Sequence, residues 1–245
     1  VIPIQDNVPR RCPPLMTWAI IAVNSIIFFI EIHLPRPVLQ KVFYTFGLIP
    51  NHYTHGAWLY TLSNGLGFWP FFTCMFLHGG WIHIIGNMWT LWIFGDNVED
   101  EMGHFKFLLF YLLCGIVAGV VEVITLPNSP LPMIGASGAI AGVMGAYYVL
   151  FPRARIIILL PIFIFPFFFE LPAFFYLAFW FFEQVFTGTL ALSAKAFAGI
   201  AWWAHIGGFV FGMLTHRLFI SQRKPYHHYS DEYRPWGMLS PTDRK

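Results

Sequence analysis

Gly135-Ala136-Ser137-Gly138-Ala139-Ile140-Ala141-Gly142-Val143-Met144-Gly145-Ala146 is the stretch on which the reading of this chain turns. Small residues recur at 138, 142 and 146, and again at 137, 141 and 145, so two adjacent stripes of a helix lack bulk. Such stripes let helix backbones approach closely inside a membrane. One of them begins with a hydroxyl. A second segment, Ala201-Trp202-Trp203-Ala204-His205-Ile206-Gly207-Gly208-Phe209-Val210-Phe211-Gly212, places 201, 205, 208 and 212 on one helical face. Polar side chains at membrane depth are costly and mark functional sites. Packing the two small-residue faces together gives Ser137 and His205 the close approach that a nucleophile–base hydrogen bond of ~2.6–3.2 Å requires. Without the serine and the histidine, the same faces would be ordinary packing motifs.

The surrounding composition places these helices in a bilayer. Only 11% of the residues are charged and 57% are apolar, against about 25% charged in soluble domains. Mean hydropathy is +0.62. Helices are predicted near 15–34, 81–97, 105–126, 137–151, 170–187 and 199–220, a crossing needing about 20 residues. The apolar run from Leu15 ends at Glu31-Ile32-His33 with no small-residue cleavage site, so it reads as a retained helix rather than a signal peptide. Residues 35–80 are too polar to span and too aromatic for a free loop, which fits an interfacial, partly inserted segment. Pro161 and Pro166 interrupt the apolar run 156–168. That run is read as interfacial or extended, with the next helix opening near Glu170-Leu171-Pro172.

With six spans, Lys and Arg divide eleven to three between the two sides. The positive-inside rule then puts both ends in the cytoplasm. The predicted fold class is an all-α polytopic membrane protein with one membrane domain over 15–220. A cytoplasmic tail over 1–14 precedes it, and a basic polar cytoplasmic tail over 221–245 follows. In that topology Ser137 lies in the first turn of its helix at the outer face. His205 lies about 9 Å below the start of its own helix, six residues on at 1.5 Å per residue.

Other chemistries fare worse. A net charge of +2 with no basic stripe does not favour nucleic acid. Cys12, Cys74 and Cys114 form no CxxC, and no HExxH or His-carboxylate ligand spacing occurs on the spanning helices, so no metal or cofactor is expected. A transporter would show internal repeats or paired broken helices; the two halves of the chain show neither. His83 and Asn87 share a helical face at i, i+4. With the Ser137 backbone N–H at a helix N-terminus they form a set of donors for an oxyanion. His83 suits a core hydrogen-bonding role equally well. Glu122 reads as snorkelling or paired, Glu170 as a helix-start acceptor, and His78 as a structural residue facing the first loop. Asp96, Glu99, Asp100 and Glu101 read as a solvated helix end, within reach of Lys106 or Arg155. Phe167, Phe168 and Phe169 read as lipid or core contacts.

Five motifs in order carry a resemblance. They are Trp69-x-x-Phe72-Thr73, His83-x-x-x-Asn87, Glu101-x-Gly103-x-x-x-Phe107, Gly135-x-Ser137-Gly138 and Ala204-His205-x-x-Gly208-x-x-x-Gly212. The chain resembles the rhomboid family of intramembrane serine proteases. The resemblance implies a six-helix bundle with a partly embedded first loop, Ser137 as nucleophile and His205 as general base without a third carboxylate. It implies an oxyanion hole of His83, Asn87 and the Ser137 N–H, and transmembrane proteins as substrates. It implies entry of the substrate helix past the fifth spanning helix and the loop near 188–197. A multi-pass protein of a prokaryotic inner membrane fits this reading. A catalytically silent rhomboid-like protein that escorts membrane clients is the alternative. Two positions depart from the family pattern. Pro70 stands where an arginine ties the first loop to Glu101, and Ala141 stands where an aromatic ring lies under the imidazole. Trp202 or Trp203 is available to fill that space.

Overall fold

A computed structural model describes residues 2–54, 67–162, 165–193 and 200–221. In chain order its helices are α1 (Leu15–Glu31), α2 (Arg36–Phe46), α3 (Pro70–Thr73), α4 (Trp81–Met102), α5 (His104–Thr125), α6 (Ser137–Leu150), α7 (Ala173–Ser193) and α8 (Trp202–Thr215). Each of the six long predicted segments is helical, with ends displaced by a few residues. By length and apolar composition α5 and α7 qualify as membrane spans, while α1 and α6 are shorter apolar helices.

The α6–α8 contact is the packing centre, and glycine makes it. A Cβ on Gly208 would stand 2.0 Å from the carbonyl oxygen of Gly138, and one on Gly212 would stand 1.9 Å from that of Gly142. A Cβ on Gly145 would lie 2.0 Å from the carbonyl of Phe209. Only hydrogen fits at these positions, so the backbones touch as the small-residue stripes predicted. On its other side α6 meets α5, where Gly142 faces Cys114 and Gly138 faces Ala118.

The molecule is not all-α. Three antiparallel strands, β1 (Ile2–Asp6), β2 (Arg155–Ile162) and β3 (Phe165–Pro172), form a sheet in the order β1-β2-β3. The interrupted run 156–168 is therefore a hairpin, with Arg155 opposite Pro172 and Pro161 opposite Pro166. Proline at these places removes no needed ladder bond, because β3 is an edge strand and β1 pairs only as far as Leu159. Ile156 and Ile158 are buried, whereas Phe165 and Phe167 to Phe169 are exposed. α7 begins at Ala173, after Leu171 and Pro172 have completed β3. Glu170 accordingly pairs across the hairpin with Arg155 at 3.3 Å rather than opening a helix. Residues 2–6, read as part of a tail, are pinned into this sheet.

The acidic end of α4 is buried, not solvated, and neither Lys106 nor Arg155 is its partner. Glu99 is 1% exposed. Its carboxyl oxygens accept from the backbone N–H groups of Met16 (2.9 Å) and Thr17 (2.8 Å), from the Thr17 hydroxyl (2.7 Å) and from His104 (2.5 Å). Pro14 cannot cap α1, so a side chain from another helix satisfies its orphan donors. Arg10 meets Asp96 at 3.8 Å, and Arg11 meets Asp100 at 3.9 Å and Glu101 at 3.0 Å. Glu101 thus keeps an arginine partner, drawn from the N-terminal segment instead of the first loop. Tyr147 donates to the buried Asp6 carboxyl. Burial pushes that carboxyl well above the usual carboxylate range, with Asp96 adding to the effect and the Tyr147 bond opposing it. Lys106 donates instead to the Ile220 carbonyl. Gly103, between α4 and α5, has φ of 78°, a conformation open to glycine.

At the opposite end the first loop holds the segment that leads into α6. Leu48 and Met133 exchange backbone hydrogen bonds at 3.0 and 2.8 Å. The Asn51 N–H donates to the Ser129 carbonyl, and the Thr54 hydroxyl donates to that of Pro127. The proline-rich stretch before Ser137 is therefore clamped. Within the first loop, residues 55–66 lie outside the described residues, as do 194–199 and the tail from 222.

Candidate active site

Ser137 is the first residue of α6. Its backbone N–H is one of the four that a helix start leaves without an intrahelical acceptor. The chain reaches it through Gly135, whose φ of 122° is strongly disfavoured for other residues. A Cβ at Gly135 would also lie 2.5 Å from His83 Nε2 and 3.5 Å from Asn87 Nδ2. The first glycine of Gly135-x-Ser137-Gly138 thus serves two needs: it makes the turn, and it lets two α4 side chains approach the backbone beside the serine.

His205 lies in the first turn of α8, which begins at Trp202 rather than near Gly199. It is closer to the helix start than the sequence predicted. The Ser137 hydroxyl and His205 Nε2 are 2.8 Å apart. Both residues are half-buried. Ala201 offers no side-chain cap to α8. Glu122 of α5 supplies one, accepting the Ala204 N–H at 3.0 Å. This carboxyl is buried and pairs with a helix N-terminus, where negative charge is favoured. It fixes the turn that carries His205.

The donors expected on α4 lie together. His83 Nδ1 accepts the Gly79 N–H at 3.3 Å, which leaves the ring proton on Nε2, the atom facing Gly135. Asn87 Nδ2 lies 3.0 Å from His78 Nε2. His78 packs inward: its ring lies edge-on against His83 with centroids 5.0 Å apart, and its backbone N–H donates to Glu31. Beside Ser137 a small recess is lined by Met75, Gly115, Ala118, Met133, Ala201 and Ala204 among others.

Two contacts of His205 escaped the sequence reading. Trp180 of α7 lies with its ring centroid 5.9 Å from the imidazole at 36°, and Trp202 meets it edge-on at 6.4 Å. The imidazole is thus bordered by a ring from another helix as well as by one of the two expected tryptophans. Gln184, also on α7 and 3% exposed, places Oε1 2.7 Å from His205 Nδ1. A glutamine beside a glutamate in an otherwise apolar helix is the signal that could have found it.

The rhomboid domain model matches residues 66–222, more than half of the chain and all of the site just described. The chain belongs to the rhomboid family. Rhomboid-like protein 11, chloroplastic, from Arabidopsis thaliana is 39% identical over 84 residues, 34% of this chain and 30% of that protein. Rhomboid protease GluP from Bacillus subtilis (strain 168) is 32% identical over 134 residues, 54% of this chain and 24% of that protein. Presenilin-associated rhomboid-like protein, mitochondrial, from Mus musculus is 33% identical over 81 residues, 32% of this chain and 22% of that protein. The rhomboid chain described here thus spans less than a third of each of these relatives. Membership makes it an integral membrane protein.

Proposed function

We propose that this rhomboid is an intramembrane serine endopeptidase in which Ser137 is the nucleophile and His205 the general base. The observation that carries the reading is the 2.8 Å contact between the Ser137 hydroxyl and His205 Nε2 across a helix interface that glycines bring into backbone contact. In the reaction Ser137 Oγ attacks the scissile carbonyl while His205 Nε2 takes the hydroxyl proton. The tetrahedral oxyanion falls to the Ser137 N–H, His83 Nε2–H and an Asn87 amide hydrogen. His205 then gives its proton to the leaving amine. Water, deprotonated by the same nitrogen, hydrolyses the acyl-enzyme and restores Ser137.

The recess beside Ser137 supports cleavage after a small side chain, since Gly115, Ala118, Ala201 and Ala204 wall it closely. Substrates in this reading are transmembrane proteins whose helices unwind near the outer face. The six long helices cross the bilayer, the first loop is partly embedded, and both ends of the membrane domain face the cytoplasm of a prokaryotic inner membrane. The gathering of the N-terminal segment, the α4–α5 junction and Ser221 at one end of the bundle supports that orientation. Presence of both reacting groups in contact favours the enzyme over a client-escorting rhomboid-like protein.

Cleavage of a model transmembrane substrate in proteoliposomes tests the assignment. Ser137→Ala and His205→Ala should each lose activity by about a thousandfold or more, because members of such a pair act as a unit. Cleavage by Ser137→Ala at the wild-type rate would refute it.

A further inference from the structure

Resting on that reading, we infer that Gln184 is a positioning residue that holds the His205 imidazole in the tautomer and orientation the reaction needs. The hydrogen bonds that set Gln184 start at Glu183. An ionisable side chain halfway along α7, flanked by the exposed rings of Phe179, Phe182 and Phe186, stands where charge is costly. Its two carboxyl oxygens are both engaged: Oε1 accepts from the Thr187 hydroxyl at 3.1 Å and Oε2 from the Gln184 amide.

Gln184 turns its NH₂ toward Glu183, whose Oε2 accepts from it. Its carbonyl oxygen then faces His205 Nδ1 at 2.7 Å. A carbonyl only accepts, so the imidazole proton resides on Nδ1. Nε2 is left with its lone pair toward the Ser137 hydroxyl at 2.8 Å. From Ser137 to Glu183 every bond is donated in one direction, hydroxyl to Nε2, Nδ1–H to the Gln184 carbonyl and Gln184 amide to Glu183, and that direction is the one a general base requires. Trp180, one turn before Gln184 on α7, borders the ring, so α7 fixes both the tilt of the imidazole and its proton. A neutral amide replaces the carboxylate of a Ser-His-Asp arrangement: it orients the ring without stabilising the imidazolium by a full charge.

The test compares Gln184→Met, Gln184→Glu and Ser137→Ala in proteoliposomes, measuring kcat and KM across pH. Other titratable groups near the imidazole are His83 from α4, Glu122 from α5 at Ala204, and Glu183 itself; all stay unchanged in these variants. Gln184→Met keeps the volume and removes the acceptor, so kcat should fall about tenfold or more with KM little changed. Gln184→Glu keeps an acceptor and adds a charge. It should retain turnover at alkaline pH and move the acid limb of the profile upward by about one pH unit or more, since a carboxylate favours the imidazolium. Wild-type kcat in Gln184→Met would overturn the inference, as would an unshifted acid limb in Gln184→Glu. If Gln184→Met does not fold, the acid limb of Gln184→Glu decides alone. Activity in Ser137→Ala would instead remove the protease reading beneath it, so the two failures are distinguishable.

Discussion

Two polar clusters lie at opposite ends of the same helices, and they are built on opposite principles. At the end near β1, Arg10, Arg11, Asp96, Asp100 and Glu101 pair charge with charge, and Glu99 gathers four donors at 1% exposure. At the other end, Ser137, His205, His83 and Asn87 meet through neutral hydrogen bonds and close backbone approach. Ser137, His205 and His83 remain half-buried beside a recess. The first arrangement commits its charged groups to holding segments together. The second leaves a hydroxyl, a ring proton and a helix-start N–H free to meet a substrate. Chemistry needs such unspent groups, whereas fastening needs none.

Substitutions can break or sharpen this contrast. The largest stability effect should come from Glu99→Ala, which orphans the Met16 and Thr17 N–H groups at the start of α1. A loss of about 3 kcal/mol or more is expected, as for removal of a buried charged acceptor. Melting of the detergent-solubilised protein should drop, while cleavage per folded molecule holds. A lasting loss of activity in molecules that remain folded would mean that the two ends are not separate. Gly208→Ala should cost about 1–3 kcal/mol through overpacking against the Gly138 carbonyl. Unlike Glu99→Ala it should also reduce turnover, because α6 and α8 move apart and carry Ser137 and His205 with them. Unchanged melting and turnover would show that the glycine contact is not what sets the site. Asn87→Ala should lower turnover about a hundredfold, at the low end of the range seen for oxyanion donors. Its melting point should shift little, since a single bond to His78 is lost. Full turnover would take Asn87 out of the oxyanion role and leave the pair intact.

Legibility in the sequence followed the same division. Ser137 and His205 could be read because helical spacing is local: the stripes at 138, 142 and 208, 212 need no knowledge of distant residues. The i, i+4 pairing of His83 and Asn87 was visible for the same reason. What could not be read depends on partners far along the chain. β1 meets β2 across about 150 residues, so nothing near Ile2 announces a strand, and the hairpin itself shows only as an apolar run that Pro161 and Pro166 interrupt. The acidic run looked solvated because Arg10 and Arg11 precede it by more than 80 residues. Glu122 capping α8 is hidden in the same way, 82 positions before its acceptor site at Ala204. Gln184 is the instructive omission. Glu183 and Gln184 are a polar pair inside an apolar helix, and the rule that singled out Ser137 and His205 applies equally to them.

A serine-directed fluorophosphonate in native membranes tests the central claim most directly. The account predicts a covalent adduct that maps to Ser137 in the wild-type protein and is absent from Ser137→Ala and His205→Ala. Equal labelling of all three proteins, or an adduct on any other residue, would contradict it.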